Sequence, residues 1–262
     1  MADHLAKLPG VLAVLFYGNL HREPDAQGLL DLYVLTEGDA AYHGSGLSAV
    51  ANRLLPPNVY NVALEDGPRA KVAVMRLDAF AHRMRPLSWD TTLWARFSQQ
   101  AALLYVRDED VRERVVDASL TAHRTAASWA LGLAPPGAGA TSAWEALFTH
   151  TYGAELRVED QNRARMLAER GGELYEMLHS EARDIAANVP RAWSRRRTVG
   201  KVLNAARLVK AAFTFRGGLA YALDKVERHS GRPVDLTDWE KRHPALAVPF
   251  VVVRLLRERR LR

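Results

Sequence analysis

Val11-Leu12-Ala13-Val14-Leu15-Phe16-Tyr17-Gly18-Asn19 is an apolar run that stops at a small-residue turn. Leu29-Leu30-Asp31-Leu32-Tyr33-Val34-Leu35-Thr36 is a second apolar run with one carboxylate set inside it. Both have the length and the β-branched and aromatic content of buried strands. Gly18 allows close backbone approach, and N–H groups clustered in such a turn attract anions. Asp31 stands where an uncompensated charge is costly, so a cation or a basic side chain has to answer it. A carboxylate on the strand beside a phosphate-cradling turn can hold the Mg²⁺ that neutralises a triphosphate. Taken alone, the same residues also fit an ordinary strand-ending turn and a structural salt bridge.

Working outward, residues 47–55 suit a helix that stops at Pro56-Pro57, where the missing N–H and the ring end it. Residues 59–65 and 69–77 suit a hairpin turning at Asp66-Gly67, and residues 103–107 a further strand. Beyond Asp108 the pattern becomes helical. Residues 111–131 carry apolar side chains at helical spacing, and Ala134-Pro135-Pro136-Gly137-Ala138-Gly139-Ala140 breaks the chain. Residues 142–187 read as helices interrupted at Gly171-Gly172, and residues 199–215 as a basic amphipathic helix. The expected class is α+β. A mixed sheet with helices spans residues 1–110, and a mainly helical module with a basic carboxy-terminal tail spans residues 111–262.

Composition narrows the chemistry. A 48% hydrophobic content over 262 residues supports a substantial core. The absence of Cys removes disulfides, thiolate metal sites and Cys nucleophiles, and fits a reducing compartment. No basic-then-apolar leader opens the chain, so secretion is not expected. No apolar run approaches the ~18–20 residues of a spanning helix. The net charge of +6 favours anionic partners. Its basic excess gathers in Arg195-Arg196-Arg197 and in residues 254–262, where Arg254, Arg257, Arg259, Arg260 and Arg262 interleave with Leu255, Leu256 and Leu261.

Five further positions carry usable chemistry. Lys71 opens the apolar strand Val72-Ala73-Val74-Met75 and can direct a point charge at phosphate, or simply discourage pairing at a sheet edge. Arg96 follows Trp89 and Trp94, tryptophans best explained by core packing. Glu155 and Glu159 stand four apart, hence on one helix face, with Arg157 elsewhere on the turn. The nine histidines show no metal-ligand spacing, and no Gly-x-Ser-x-Gly turn is present.

Read in order, these blocks resemble the Tam41/Mmp37 family of phosphatidate cytidylyltransferases, especially its shorter bacterial members. Tyr17-Gly18-Asn19 and Leu30-Asp31-Leu32 are similar to that family's Tyr-Gly-Ser turn and hydrophobic-Asp-hydrophobic strand. Lys71-Val72-Ala73-Val74 resembles its Lys-Tyr-Gly/Ala-Val strand, and Trp94 to Gln100 echoes its Trp-rich stretch ending in Gly-Arg-Leu/Phe-x-Lys/Gln-Pro. Thr151-Tyr152-Gly153-Ala154-Glu155-Leu156-Arg157 resembles its Ser-Tyr-x-Gly-Asp-x-Arg block. Residues 201–231 are similar to the bacterial subgroup. The departures are Asn19 for Ser, Glu155 for Asp, Val72 for Tyr and Gln100 for Pro. The paired carboxylates of the wider nucleotidyltransferase superfamily are also missing, since Leu29 and Tyr33 flank Asp31.

The resemblance implies a nucleotidyltransferase-like sheet and an enzyme that joins CTP and phosphatidate to give CDP-diacylglycerol and pyrophosphate. It implies Mg²⁺ on Asp31 and Glu155, and a triphosphate cradled by Tyr17, Gly18 and Asn19. Lys71 and Arg96 would steady the phosphates, with Arg157 in the same charge role. The basic tail would dock peripherally on the anionic inner face of the membrane from the cytoplasm, with no transmembrane segment. Nucleic acid is not the expected partner. The competing readings are a non-catalytic nucleic-acid-binding protein on a degenerate version of this fold, and a nucleotidyltransferase with another acceptor.

Overall fold

The computed structural model describes residues 1–17, 30–44, 46–64, 69–155, 161–185, 193–214, 237–242, 250, 251 and 254. It is a mixed α/β structure in which one five-stranded sheet precedes a long helical portion, the class expected from the sequence.

Two compact units divide the chain. The first comprises Met1–Arg85 and Phe97–Ala122, and the second Pro86–Arg96 and His123–Arg262. In the first unit, α1 (Ala2–Ala6) leads into β1 (Val11–Tyr17), and β2 (Leu30–Thr36) follows. Two short helices, α2 (Asp39–His43) and α3 (Leu47–Leu54), precede β3 (Asn58–Ala63) and β4 (Arg69–Arg76). Next come α4 (Leu77–Arg83) and β5 (Ala102–Val106); α5 (Thr91–Phe97), between them in the chain, belongs to the second unit except for its last residue, Phe97. The helix α6 (Glu109–Leu133) contributes residues to both units, and residue 110 falls in its first turn.

The strand order is β3-β4-β2-β1-β5. β2 and β4 run parallel, and every other pair is antiparallel. β1 and β2 are central, which is why they read as near-continuous apolar runs rather than alternating ones. One sheet face packs Leu32, Val34, Ala70, Val72 and Val74 with Val14 and with Leu5 of α1. The other carries an aromatic cluster in which Tyr33 lies 5.5 Å from Tyr17 and 5.1 Å from Phe97, with Phe80 4.7 Å from Phe97. Such tilted and edge-on pairs add to the burial of their rings.

A buried polar chain ties α2 and α3 to β3. Asn52 donates to Asp39 at 2.8 Å and accepts from the Asn58 N–H at 2.7 Å. Asn58 donates to the Ser48 carbonyl at 2.9 Å and to the Tyr60 hydroxyl at 3.3 Å, and that hydroxyl meets His43 Nδ1 at 2.7 Å. Burial, reinforced by neighbouring Tyr60, pushes the Tyr42 phenol up to about 12. Gly10, at φ +71°, passes α2 so closely that an added Cβ would lie 2.6 Å from the Ala41 Cβ.

The second unit is built from α7 (Ala140–Gly153), α8 (Gln161–Ile185), α9 (Trp193–Thr214) and the short α10 (Asp238–Arg242), with most of α5 and the later part of α6. α7 and α8 join through Trp144, stacked on Tyr175 at 3.6 Å and donating to its carbonyl at 3.2 Å. The expected interruption at Gly171-Gly172 is a kink, with Gly172 at φ +47°. A side chain at Gly171 would strike the Tyr175 ring. α10 opens on a reciprocal cap. The Thr237 N–H donates to Glu240 at 2.7 Å, and the Glu240 N–H donates to the Thr237 hydroxyl at 3.3 Å.

Asp66 and Gly67 of the expected hairpin turn lie outside the described residues. No helix among the described residues is long and apolar enough to cross a membrane.

Candidate functional site

Strand register brings three of the sequence-derived candidates into one row. Tyr17 pairs with Asp31, and Asp31 pairs with Lys71 on the adjacent parallel strand. Lys71 in turn pairs with Asn61 on β3. Residues directly opposite one another share a sheet face, and neighbouring strands lie about 4.8 Å apart. Asn61, Lys71, Asp31 and Tyr17 therefore form a polar line across four strands, on the face that carries the Tyr33 aromatic cluster.

The row lies at one end of the sheet. Tyr17 is the last residue of β1 and Asp31 the second of β2. Tyr17 is buried against Tyr33 and Phe97, whereas Asp31 and Lys71 are half-buried and Asn61 is exposed. The polar line thus runs from the sheet interior to its outer strand. Neither Asp31 nor Lys71 makes an ion pair with a described residue. β4 is flanked by β3 and β2, so Lys71 does not guard a sheet edge. Asn61 was missed from sequence. Counting back from the hairpin turn sets it opposite Lys71, and that register was the available signal.

The remaining candidates belong to other elements. Arg96 is half-buried in the last turn of α5, where a cation complements the helix dipole. Glu155 follows the end of α7 at Gly153, its N–H donating to the Tyr152 carbonyl at 2.9 Å. It is therefore not part of a continuing helix at that point. Glu159, Gly18, Asn19 and Arg157 lie outside the described residues. Among the described residues no group of three or more His, Asp and Glu side chains is arranged to hold a metal ion. Within the row, Asp31 is the sole carboxylate. A divalent cation there would keep waters and take its other oxygens from phosphate, a coordination habit that suits Mg²⁺.

The basic run at residues 195–197 is not the uniformly solvated face its composition suggests. Arg196 is only 4% exposed. Its guanidinium lies 5.1 Å from the Trp89 ring centre and 4.7 Å from that of Trp129, and it donates to the carbonyls of Ser88 and Pro86. Arg197 donates to the Gly153 carbonyl at 3.2 Å. Trp94, Trp129 and Trp193 form a buried aromatic cluster, the core role expected for Trp94, whereas Trp89 is half exposed. Arg254, the one tail arginine among the described residues, pairs with Glu240 at 3.2 Å. Burial alone would raise the Glu240 carboxyl. Hydrogen bonds from Thr237 and the Arg254 charge outweigh that and hold it below the usual range.

No family model matches the chain, and no curated protein matches it. The likeness to the Tam41/Mmp37 family therefore stands on the sequence blocks alone. Solved structures that match include the crystal structure of a nucleotidyltransferase-like protein from Exiguobacterium sibiricum 255-15, at 10% identity and a TM-score of 0.30. The match covers 98% of this chain and 88% of that one. At that TM-score nothing about this chain's chemistry follows from the likeness.

Proposed function

We propose that this protein is a nucleotidyltransferase that transfers a cytidylyl group from CTP to phosphatidate, giving CDP-diacylglycerol and pyrophosphate. The observation that carries this reading is the register pairing of Asp31 with Lys71 on adjacent parallel strands, beside the end of β1. A carboxylate and an ammonium side by side suit a metal-bound triphosphate, which presents a cation and anionic oxygens together.

A phosphatidate oxygen attacks the α-phosphorus of CTP and forms a new P–O bond. The bond from that phosphorus to the bridging oxygen breaks, and its electron pair leaves with pyrophosphate. The attacking phosphate is already ionised near neutral pH, so no strong general base is needed. The chain's task is positioning and charge neutralisation. Lys71 binds phosphate oxygens as a point charge, and Gly18 and Asn19 offer backbone N–H groups to the triphosphate. Asp31 would hold Mg²⁺, which when bound offsets charge developing on the leaving oxygens.

The test offers the purified protein each of the four NTPs with Mg²⁺ and phosphatidate and measures pyrophosphate release. Release with CTP that disappears in Asp31→Ala is expected. An undiminished rate in that variant overturns the assignment of Asp31. The lone carboxylate of the row also favours one competing reading, a binding protein on a degenerate fold. Salt-steep RNA binding without turnover of any NTP identifies that case.

A further inference from the structure

The segment at residues 86–90, Pro-Leu-Ser-Trp-Asp, is fastened at every second residue. The Pro86 carbonyl accepts from Arg196 at 3.3 Å and from the Trp129 indole at 3.4 Å. The Ser88 carbonyl accepts from Arg196, and the Asp90 carboxylate is held by both terminal nitrogens of Arg207. With positions 86, 88 and 90 tied inward to α6 and α9, the alternate side chains are displayed. Leu87 is 69% exposed and Trp89 is 49% exposed. One face of the Trp89 ring rests on Arg196, and its outer part meets solvent.

The helix that holds the segment is basic. α9 contains no acidic residue, and Arg195 and Arg197 beside the buried Arg196 are exposed. The only acid in the segment, Asp90, is neutralised by Arg207. A tryptophan and a leucine displayed beside exposed arginines match the demands of a membrane interface, where an indole sits at headgroup depth and arginine meets anionic lipid. Two side chains are too small a patch for a stable protein interface, which needs about 800 Å² per partner. A second copy would bring like charge against like, since each chain carries +6.

We infer that residues 86–90 form a rigid interfacial anchor that inserts Leu87 and Trp89 into an anionic lipid surface. This rests on the lipid-phosphate reading of the acceptor, for which an enzyme with no spanning helix among its described residues must meet its substrate at a bilayer.

The test uses the full chain and vesicles of phosphatidylcholine with or without phosphatidylglycerol, and no CTP. Because the chain has no native cysteine, Leu87→Cys places a single environment-sensitive fluorophore at the proposed tip. A blue shift with anionic vesicles is expected, with none for the same label at Leu120→Cys. Leu87→Ser and Trp89→Ser should each weaken co-sedimentation about tenfold, and Arg195→Glu should weaken it further at low salt. A label at position 87 that stays in water, or unchanged co-sedimentation of both serine variants, overturns the anchor. So does a shift that grows with protein concentration without lipid, which would mark a second copy. Phosphatidylglycerol is not the proposed substrate, so docking is read apart from turnover. Pyrophosphate release without docking removes the anchor alone, whereas docking without release removes the cytidylyl reading.

Discussion

A single register pairing gives Asp31 its meaning. Its place in an apolar run made it conspicuous in the sequence, but its neighbours became visible only once β2 and β4 were aligned. For Lys71 the sequence offered a phosphate-facing charge or an edge-strand lysine, and the strand order removes only the second, since β4 is flanked on both sides. Lys71→Met should lower pyrophosphate release by at least tenfold while the melting temperature stays within a few degrees, because a half-buried ammonium without an ion pair among the described residues contributes little to stability. Thermal melting and a turnover assay on the same preparation check this. Gly10 behaves in the opposite way. Gly10→Ala forces a side chain onto a positive φ and into Ala41, so it should cost about 2 kcal/mol in chemical denaturation, with effects on turnover only through folding.

Among the elements, α9 shows where a composition argument stops. The sequence predicts a basic amphipathic helix over residues 199–215, and a helix runs over Trp193–Thr214. Its start was missed because Arg195-Arg196-Arg197 looked like a solvated charge run. The decisive partners of Arg196, Trp89 and Trp129, are distant in sequence. Helix periodicity reports which face is apolar, not which cation finds an aromatic slot. Arg196→Lys should therefore destabilise the protein by about 2 kcal/mol, since an ammonium cannot stack between two rings and reach two carbonyls at once. Asp90→Ala leaves the Arg207 guanidinium largely buried without its carboxylate, at a cost of about 3 kcal/mol. A double-mutant cycle with Arg207→Met should recover part of that loss. Urea denaturation of the four proteins measures both effects. Gly200 could not be anticipated either, since only the packed helices reveal that a Cβ there would come within 2.9 Å of the Ala154 carbonyl oxygen.

For the whole molecule, the order of strands and helices was largely readable because long apolar runs and Gly-Pro breaks punctuate the chain. The short helices α1, α2, α4 and α5 were not, since five to seven residues are too few for periodicity to speak. Stability should respond to pH through His179 on α8. Burial, and then the positive charge of Arg183 one turn along, hold its imidazole below the usual value of 6.5, with the nearby Ala138 backbone opposing them. The unfolded chain then binds a proton that the folded chain refuses. Stability is complete above about pH 6.5 and falls as pH drops toward the depressed folded-state value. Melting temperature should be lower at pH 5.5 than at 7.5, and His179→Gln should flatten that slope. An identical slope in the variant would assign the effect elsewhere.

The parallel seam between β2 and β4 also dictates how the sheet comes into being. β1–β2 and β3–β4 are antiparallel ribbons of neighbouring strands, each able to zip from nearby sequence. The seam, by contrast, joins Leu32 to Val72 and cannot close until the intervening chain has returned along the sheet. Closing that long loop is entropically the harder step, so it should gate refolding. Trimming Val34 or Val74 to Ala would then slow the folding limb of a stopped-flow experiment, whereas trimming Leu103 on the outer strand β5 would mainly hasten unfolding. Asp31 and Lys71 face each other only across this late junction, so a chain arrested before it closes holds both ribbons with the carboxylate and the ammonium still apart.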